Sequence, residues 1–310
     1  MKKIDDQQII CPCCRNRHIT KALSLSGGNV SSSWGVTTGE RVIYRCLSCD
    51  VRFADSVFDS QADDQQMYDL DYQNTMSGDS PEKEKQSGLI EQSLERLKLI
   101  KPLKPVGKLL DIGCSTGIFL ECAAQHQYNV SGLDPSLFAC KKACRRLGNH
   151  IKIEQSDILQ SNVMDREHFD IITLWDVIEH CRDMDNVMKK MVNALGPKGI
   201  IVIRTPDIKS IFFQAAVMAY HLSFKKIKYP VLSIFHADHH FFFSKTALID
   251  LFHRHNLKIL SIQSDPLLWK RFKYCECRRG AFVNAALIAL YWAARCFNKG
   301  HGIIITGEKI

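Results

Sequence analysis

Short apolar runs that end in polar or glycine-rich residues recur along this chain of 310 residues. The clearest of these runs are 109–112, 129–133, 151–155, 169–175 and 200–204. Runs with so little polar interruption are typical of strands that are buried on both faces of a parallel sheet. Two further strands are predicted at 257–262 and 302–306. The pattern predicts an open α/β sheet, which binds ligands at the carboxyl ends of its strands.

The turn after the first run has the pattern D-x-G-x-S-x-G, formed by Asp111, Gly113, Ser115 and Gly117. Glycines at such a turn let the backbone approach a ligand closely, and Asp134, at the end of the next run, can hold ribose hydroxyls. A carboxylate that opens the turn would repel the pyrophosphate of a dinucleotide, but it suits a ligand with an ammonium group. The turn therefore predicts a nucleoside-binding site.

These motifs resemble the class I S-adenosylmethionine-dependent methyltransferases, whose first motif reads close to Leu-Asp-Ile-Gly-Cys-Gly-x-Gly. The resemblance covers residues 85–265 and implies a Rossmann-like sheet of seven strands, mostly parallel, with the last strand antiparallel. Ser115 replaces the usual middle glycine, and we expect the site to tolerate it because serine is small. The residues that the resemblance assigns to S-adenosylmethionine are Asp111, Gly113, Ser115, Gly117, Asp134, Asp157 and Trp175. For Asp157, a helix cap is an equally good interpretation.

Candidate catalytic side chains lie in two places. Asp176 and His180 follow the apolar run 169–175, at the end of the strand where ligands bind in open α/β sheets. His239 precedes Phe241 in a segment that resembles the family's His-x-x-x-Phe-Ser stretch, and histidine is the side chain best matched to base catalysis near neutral pH. We expect His239, His180 and Asp176 to act on the acceptor. A loop packed by histidine hydrogen bonds, or a fortuitous metal site, is the alternative for His239.

Two C-x-x-C pairs near the start of the chain predict a zinc ribbon. Cys11, Cys14, Cys46 and Cys49 would supply four thiolates, a set suited to tetrahedral structural zinc. Cys13 lies inside the first pair, and a register that uses it remains open. Disulfides are the alternative, but no signal peptide opens the chain, and dispersed free cysteines fit the reducing cytoplasm.

Composition divides the chain into a small module and one main domain. The cysteine pairs define a zinc-ribbon module at 1–58, and the stretch 59–84 is rich in Asp, Gln and Ser, which is typical of a linker or cover. The methyltransferase domain is predicted at 85–310. Within it, 208–235 is an apolar insertion and 281–298 an apolar helix.

The formal net charge is +8, and basic residues flank both apolar segments. Such helices could rest on the anionic inner face of a membrane, or they could cover the fold. Nucleic-acid binding is disfavoured because the basic residues follow no recognisable motif. The sequence leaves the oligomeric state open.

We expect the protein to be a cytoplasmic methyltransferase that contains zinc and acts on a small-molecule, sugar-nucleotide or lipid-linked acceptor. The competing hypothesis is a scaffold that has kept the fold without turnover. Ser115 would be mild support for that scaffold, whereas the acidic residues Asp111 and Asp134 argue against it.

Overall fold

A computed structural model describes residues 9–25, 30–32, 35–37, 41–58, 82–148, 151–224, 226, 229–235, 238–265 and 281–310. The predicted cover segment at 59–84 lies outside the described residues up to position 81. So do Lys225, Lys228 and all positions from 266 to 280, which include the basic residues before the apolar helix.

The N-terminal part of the chain forms short antiparallel strands. They are β1 (Ile19–Leu25), β2 (Val30–Ser32), β3 (Gly35–Thr37), β4 (Arg41–Cys46) and β5 (Arg52–Ala54). A 3-10 turn at Asp55–Phe58 follows β5.

Strands and helices alternate through the rest of the chain, as the apolar runs predicted. The helices are α1 (Glu82–Ile100), α2 (Ile118–Gln125), α3 (Leu137–Leu147), α4 (Val163–Arg166), α5 (Met184–Ala194), α6 (Ile211–Leu222), α7 (Tyr229–Ile234), α8 (Lys245–Arg254) and α9 (Ala281–Cys296). The strands are β6 (Gly107–Ile112), β7 (Tyr128–Asp134), β8 (Lys152–Gln155), β9 (Phe169–Trp175), β10 (Leu195–Pro206), β11 (Phe241–Phe242), β12 (Leu257–Ser264) and β13 (Gly302–Lys309).

Seven of these strands form one sheet in the order β12-β13-β10-β9-β6-β7-β8. The pairs from β10 to β8 are parallel, and β13 runs antiparallel to both of its neighbours. The predicted Rossmann-like sheet, mostly parallel with an antiparallel last strand, is therefore confirmed. The turn that the Gly-Pro-Lys-Gly sequence favours at 196–199 lies inside β10, where the pairing with β9 shifts register between Leu195 and Ile200.

The parallel strands are apolar because both faces of the sheet are covered. Leu110, Ile172 and Ile203 belong to one buried cluster, and Leu109 and Ile171 belong to the cluster on the other face. Side chains that alternate between two apolar layers need no polar face. The polar residues are therefore concentrated where the strands end.

The N-terminal module is joined to this domain by a shared sheet and a shared core. Its strands form a sheet in the order β1-β4-β5-β11, so that β11, far along the chain, supplies the edge strand. Phe241 of β11 pairs with Phe53 of β5. Cys46 and Phe53 lie in the same buried cluster as Leu110 of the central sheet. The boundary proposed at residue 58 stays a prediction, but the two parts are in close contact.

The apolar insertion folds as α6 and α7. Its buried side chains, among them Phe213 and Phe235, pack on the face of the N-terminal sheet that carries Leu25 and Ile43. The apolar helix α9 contacts α6. Among the described residues, no helix has the length and apolar character required to cross a membrane.

Candidate cofactor and acceptor site

The glycine turn lies at the carboxyl end of β6. Gly113 and Gly117 have left-handed backbone angles, with φ of 72° and 78°, and Ser115 adopts φ of 52°. A Cβ on Gly113 would lie 2.3 Å from Cγ2 of Val177, so no other residue fits there without displacement. The Ser115 N–H donates to Oδ2 of Asp134 at 2.8 Å. The turn and the end of β7 are thus held together.

Asp111 is a buried carboxylate below this turn. It is 2% exposed, and its Oδ1 accepts a hydrogen bond from Thr173 Oγ1 at 2.6 Å. Burial raises the pKa of Asp111 from 3.8 to about 7, while the hydrogen bond from Thr173 opposes the increase. A buried carboxylate is stabilised by a positive charge nearby, and the ammonium group of a ligand would supply that charge.

Asp134 ends β7 and Trp175 ends β9, the two strands that flank β6, and Asp157 lies just beyond the end of β8. The carboxylate of Asp134 also accepts from the Ser136 N–H at 2.9 Å. Asp157 Oδ1 accepts from the Leu159 N–H at 2.8 Å, as the cap interpretation predicts. Ribose or adenine binding stays a prediction for both Asp134 and Asp157. Trp175 is buried, and among the described residues its Nε1 has no hydrogen-bond partner. A buried donor of this kind fits a polar ligand.

Asp176 is engaged by two arginines that the sequence analysis missed. It has φ of 62°, and its carboxylate forms an ion pair with Arg204 of β10 and lies 3.9 Å from Nη2 of Arg96. Arg204 also reaches Asp265 at 2.7 Å, and the Arg96 guanidinium lies 4.5 Å from the Trp175 ring centroid. A carboxylate that is engaged by two guanidinium groups is less available to accept a proton from an acceptor than the histidines are, so Asp176 is better suited to positioning than to base catalysis.

A signal for Arg204 exists in the sequence. It ends an otherwise apolar run, 200–203, and a charge within a buried strand requires a partner. That partner was not identifiable because Asp176 and Asp265 are distant along the chain.

Glu179, His180 and His239 come together beyond the end of β9. One oxygen or nitrogen atom of each lies within 4.8 Å of the others, and the rings of the two histidines are nearly perpendicular with centroids 4.7 Å apart. Glu179 Oε2 accepts from Thr205 Oγ1 at 2.9 Å, and His180 Nδ1 lies 3.1 Å from the carbonyl oxygen of Asp238. The predicted pair of histidines is therefore a real spatial cluster, and its donor set could also hold a metal ion.

His240, next in the chain, has a different environment. Burial lowers its pKa to about 2, and its Nδ1 lies 3.1 Å from Ser56 Oγ. A histidine that stays neutral and is held by a neighbouring module has a structural role.

The four predicted zinc ligands form a compact cluster. The sulfur atoms of Cys11 and Cys49 are 3.8 Å apart, and those of Cys14 and Cys46 are 3.5 Å apart. A tetrahedral site with Zn–S bonds of about 2.3 Å has sulfur–sulfur edges of about 3.8 Å, so these thiols fit zinc. Cys13 Sγ instead accepts from Arg254 Nη2 at 3.2 Å. The geometry supports the register without Cys13, and zinc itself stays a prediction.

Comparison with known proteins agrees with this fold. Residues 83–262 match the model of a family described as a methyltransferase domain. The chain is 32% identical over 101 residues to the ubiquinone biosynthesis O-methyltransferase of Rhodopseudomonas palustris (strain TIE-1), which covers 32% of this chain and 39% of the relative. It is 30% identical over 168 residues to the protein of the same name from Pelagibacter ubique (strain HTCC1062), covering 51% of this chain and 64% of the relative.

A solved structure supports the fold. The magnesium protoporphyrin IX methyltransferase from Synechocystis PCC 6803, with bound SAH, superposes with a TM-score of 0.53 at 11% identity, over 81% of this chain and 100% of that one. The curated relatives are matched over less than two thirds of their own length, about two fifths in the first case.

Fold and site together define a class I methyltransferase domain. The family match extends over more than half of the chain, and the chain therefore belongs to the methyltransferase-domain family, a class of S-adenosylmethionine-dependent enzymes.

Proposed function

We propose that this protein transfers a methyl group from S-adenosylmethionine to a small acceptor, and that the acceptor atom is a hydroxyl oxygen. The observation that supports this proposal best is the buried Asp111 carboxylate beneath a left-handed glycine turn at the end of β6. Asp134 and Trp175 complete the proposed cofactor site on the neighbouring strands.

When bound, the cofactor supplies an activated methyl group on a sulfonium. Held by Asp111, Asp134 and Trp175, the cofactor would supply this methyl group to the hydroxyl oxygen of the acceptor and would leave as the thioether, while a base of the protein would take up the hydroxyl proton. We assign the base to His239, with His180 beside it, because Asp176 is paired with Arg204 and Arg96. Positioning the acceptor in line with the methyl group supplies most of the remaining rate.

Two features support the proposed acceptor class. The curated relatives are named as O-methyltransferases of ubiquinone biosynthesis, which favours a hydroxyl on a ring compound. In addition, an apolar aromatic segment follows His239 in the chain, and the ring centroids of His239 and Phe242 are 6.1 Å apart. We therefore propose a small apolar acceptor, free or linked to a lipid.

The cofactor assignment is tested with Asp111→Asn. Asparagine keeps an acceptor for Thr173 but removes the charge, so S-adenosylmethionine should bind at least about tenfold more weakly. Folding stability should change in the opposite direction. Because the folded-state pKa of Asp111 is raised to about 7, its contribution to stability is lost as pH rises from about 4 through 7.

At pH 8 the free energy of unfolding of the variant should therefore exceed that of the native protein by about 1 to 3 kcal/mol, and at pH 4 this difference should disappear. Calorimetry gives the binding constant, and urea unfolding at both pH values gives the stability. Asp170→Asn, at the amino end of β9 and away from the turn, is the control. Native protein that is folded but does not bind S-adenosylmethionine would favour the scaffold hypothesis.

The helix pair α6 and α9 supports a further part of the proposal, peripheral contact with an anionic membrane. Exposed apolar side chains on these helices and the turns after them are Met218, Leu222, Phe224, Ile288, Trp292 and Phe297. Lys226, Arg295 and Lys299 are exposed beside them. Large apolar groups with basic neighbours are typical of surfaces that bind anionic lipid.

Liposome flotation tests this contact. The native protein should bind vesicles of phosphatidylglycerol and phosphatidylcholine, and the double variant Phe224→Ser, Phe297→Ser should bind about tenfold or more weakly because apolar burial is lost. Leu47→Ser, which removes an exposed apolar group from the N-terminal module, is the matched control. If the native protein fails to bind anionic vesicles at low salt, the helix pair has no membrane role.

A further inference from the structure

The segment that carries the proposed base is held from both sides. We call residues 238–244 the His239 segment. On the methyltransferase side, the His240 N–H donates to the Glu179 carbonyl at 2.8 Å. On the side of the N-terminal module, the Ala54 N–H donates to the His240 carbonyl at 2.9 Å, and Ser244 Oγ donates to Asp50 Oδ2 at 2.9 Å.

One side chain of the N-terminal module reaches the proposed base residue itself. Arg41 begins β4, and its Nη2 donates to the carbonyl oxygen of His239 at 2.5 Å. Its Nη1 donates to the carbonyl oxygen of Phe235 at 3.1 Å. The two ends of the guanidinium group therefore hold two backbone carbonyls, one directly after α7 and the other within the His239 segment.

The electrostatic environment keeps Arg41 charged while it makes these contacts. Burial lowers its pKa to about 10, and the nearby carboxylates of Asp55 and Asp238 oppose that shift. The guanidinium also lies 5.9 Å from the centroid of the Phe242 ring. A rigid planar cation with two fixed donors sets the direction of both carbonyl groups, which a flexible ammonium group cannot reproduce.

We infer that Arg41 is a positioning residue for methyl transfer, and that the N-terminal module is thereby a working part of the acceptor site. By holding the carbonyls of Phe235 and His239, Arg41 sets the orientation of the His239 imidazole toward Glu179 and His180. This inference rests on the proposed function, because it assumes that His239 is the base.

The test is Arg41→Lys, with Arg41→Gln as a second variant. Lysine keeps the positive charge near His239, so any change that it causes comes from geometry. We expect turnover of an alkylated catechol to fall by about 10- to 100-fold with Arg41→Lys, and further with Arg41→Gln, while the dissociation constant of S-adenosylmethionine stays within about twofold of the native value. Arg17→Lys is the control, because Arg17 is an exposed arginine of the N-terminal module.

A second readout does not depend on turnover. The imidazole ¹⁵N resonances of His239, recorded through a pH titration, should shift in Arg41→Lys and Arg41→Gln, while those of the exposed His253 stay unchanged. Native protein that binds S-adenosylmethionine but methylates no catechol would contradict the proposed acceptor, and the resonances would still test the positioning. A folded Arg41→Lys protein with native His239 resonances and native turnover would overturn the inference.

Discussion

Replacement of His239 by alanine is expected to lower the rate of methyl transfer by about 10² to 10⁴ while leaving cofactor affinity nearly unchanged. The proposed base lies beside His180 and Glu179, beyond the end of β9, and it is not one of the residues proposed to bind the cofactor. The loss should therefore appear in kcat. Turnover of an alkylated catechol and calorimetry with S-adenosylmethionine measure the two quantities separately.

The pH profile adds a sharper criterion. A base must be unprotonated to act, so the native rate should fall on the acidic side, and this limb should vanish in His239→Ala. His180→Ala distinguishes the neighbouring histidine, and His253→Ala, which removes an exposed histidine from α8, is the control. Full activity without His239 would mean that positioning alone carries the reaction.

Removal of one zinc ligand is the second change with a large expected effect. Native protein should contain about one zinc per chain, and Cys46→Ser should lose it, because a three-thiolate remnant no longer closes the tetrahedron. Cys46 is fully buried in the apolar cluster that the N-terminal module shares with the central sheet. We expect the melting temperature to fall by roughly 5 to 15 °C, since loss of a structural metal costs several kcal/mol.

Metal analysis, thermal unfolding and limited proteolysis check this prediction. Cleavage should increase within residues 9–58, while S-adenosylmethionine binding, which depends on the β6 and β7 ends, should survive. Cys13→Ser is the matched control, and zinc loss in that variant would transfer the ligand role to Cys13. Disulfides at these cysteines in freshly reduced protein would contradict the zinc site altogether.

The local sequence was sufficient to predict the strands of the central sheet. A run such as 169–175 is apolar at every position but two, and burial on both faces is the only environment that accommodates such a strand in water. The glycine turn after β6 was likewise predicted from local sequence, and the positive φ angles at Gly113 and Gly117 explain the glycines, since glycine adopts such angles at no steric cost. The spacing of the two C-x-x-C pairs predicted the cluster of four thiols for a similar reason, because each pair is a local structure.

Contacts between distant segments could not be derived in this way. Arg204 contacts Asp176 and Asp265, and Arg41 contacts the carbonyls of Phe235 and His239, only after the chain has folded. The N-terminal module was predicted as a separate unit, yet β11 completes its sheet from almost 190 residues further along the chain. No local pattern specifies such partners, because strand pairing over long separations depends on where the rest of the fold places the two edges.

Hydrophobic periodicity, turn chemistry and cysteine spacing thus predicted the class of fold, the glycine turn and the cluster of four thiols, since each depends on neighbours within a few residues. The acceptor side depends on three segments that meet in space: the end of β9, the His239 segment and β4. The roles of Asp176, His240 and Arg41 were decided by burial and ion pairing in the folded protein, which are properties of the environment and not of the residue type.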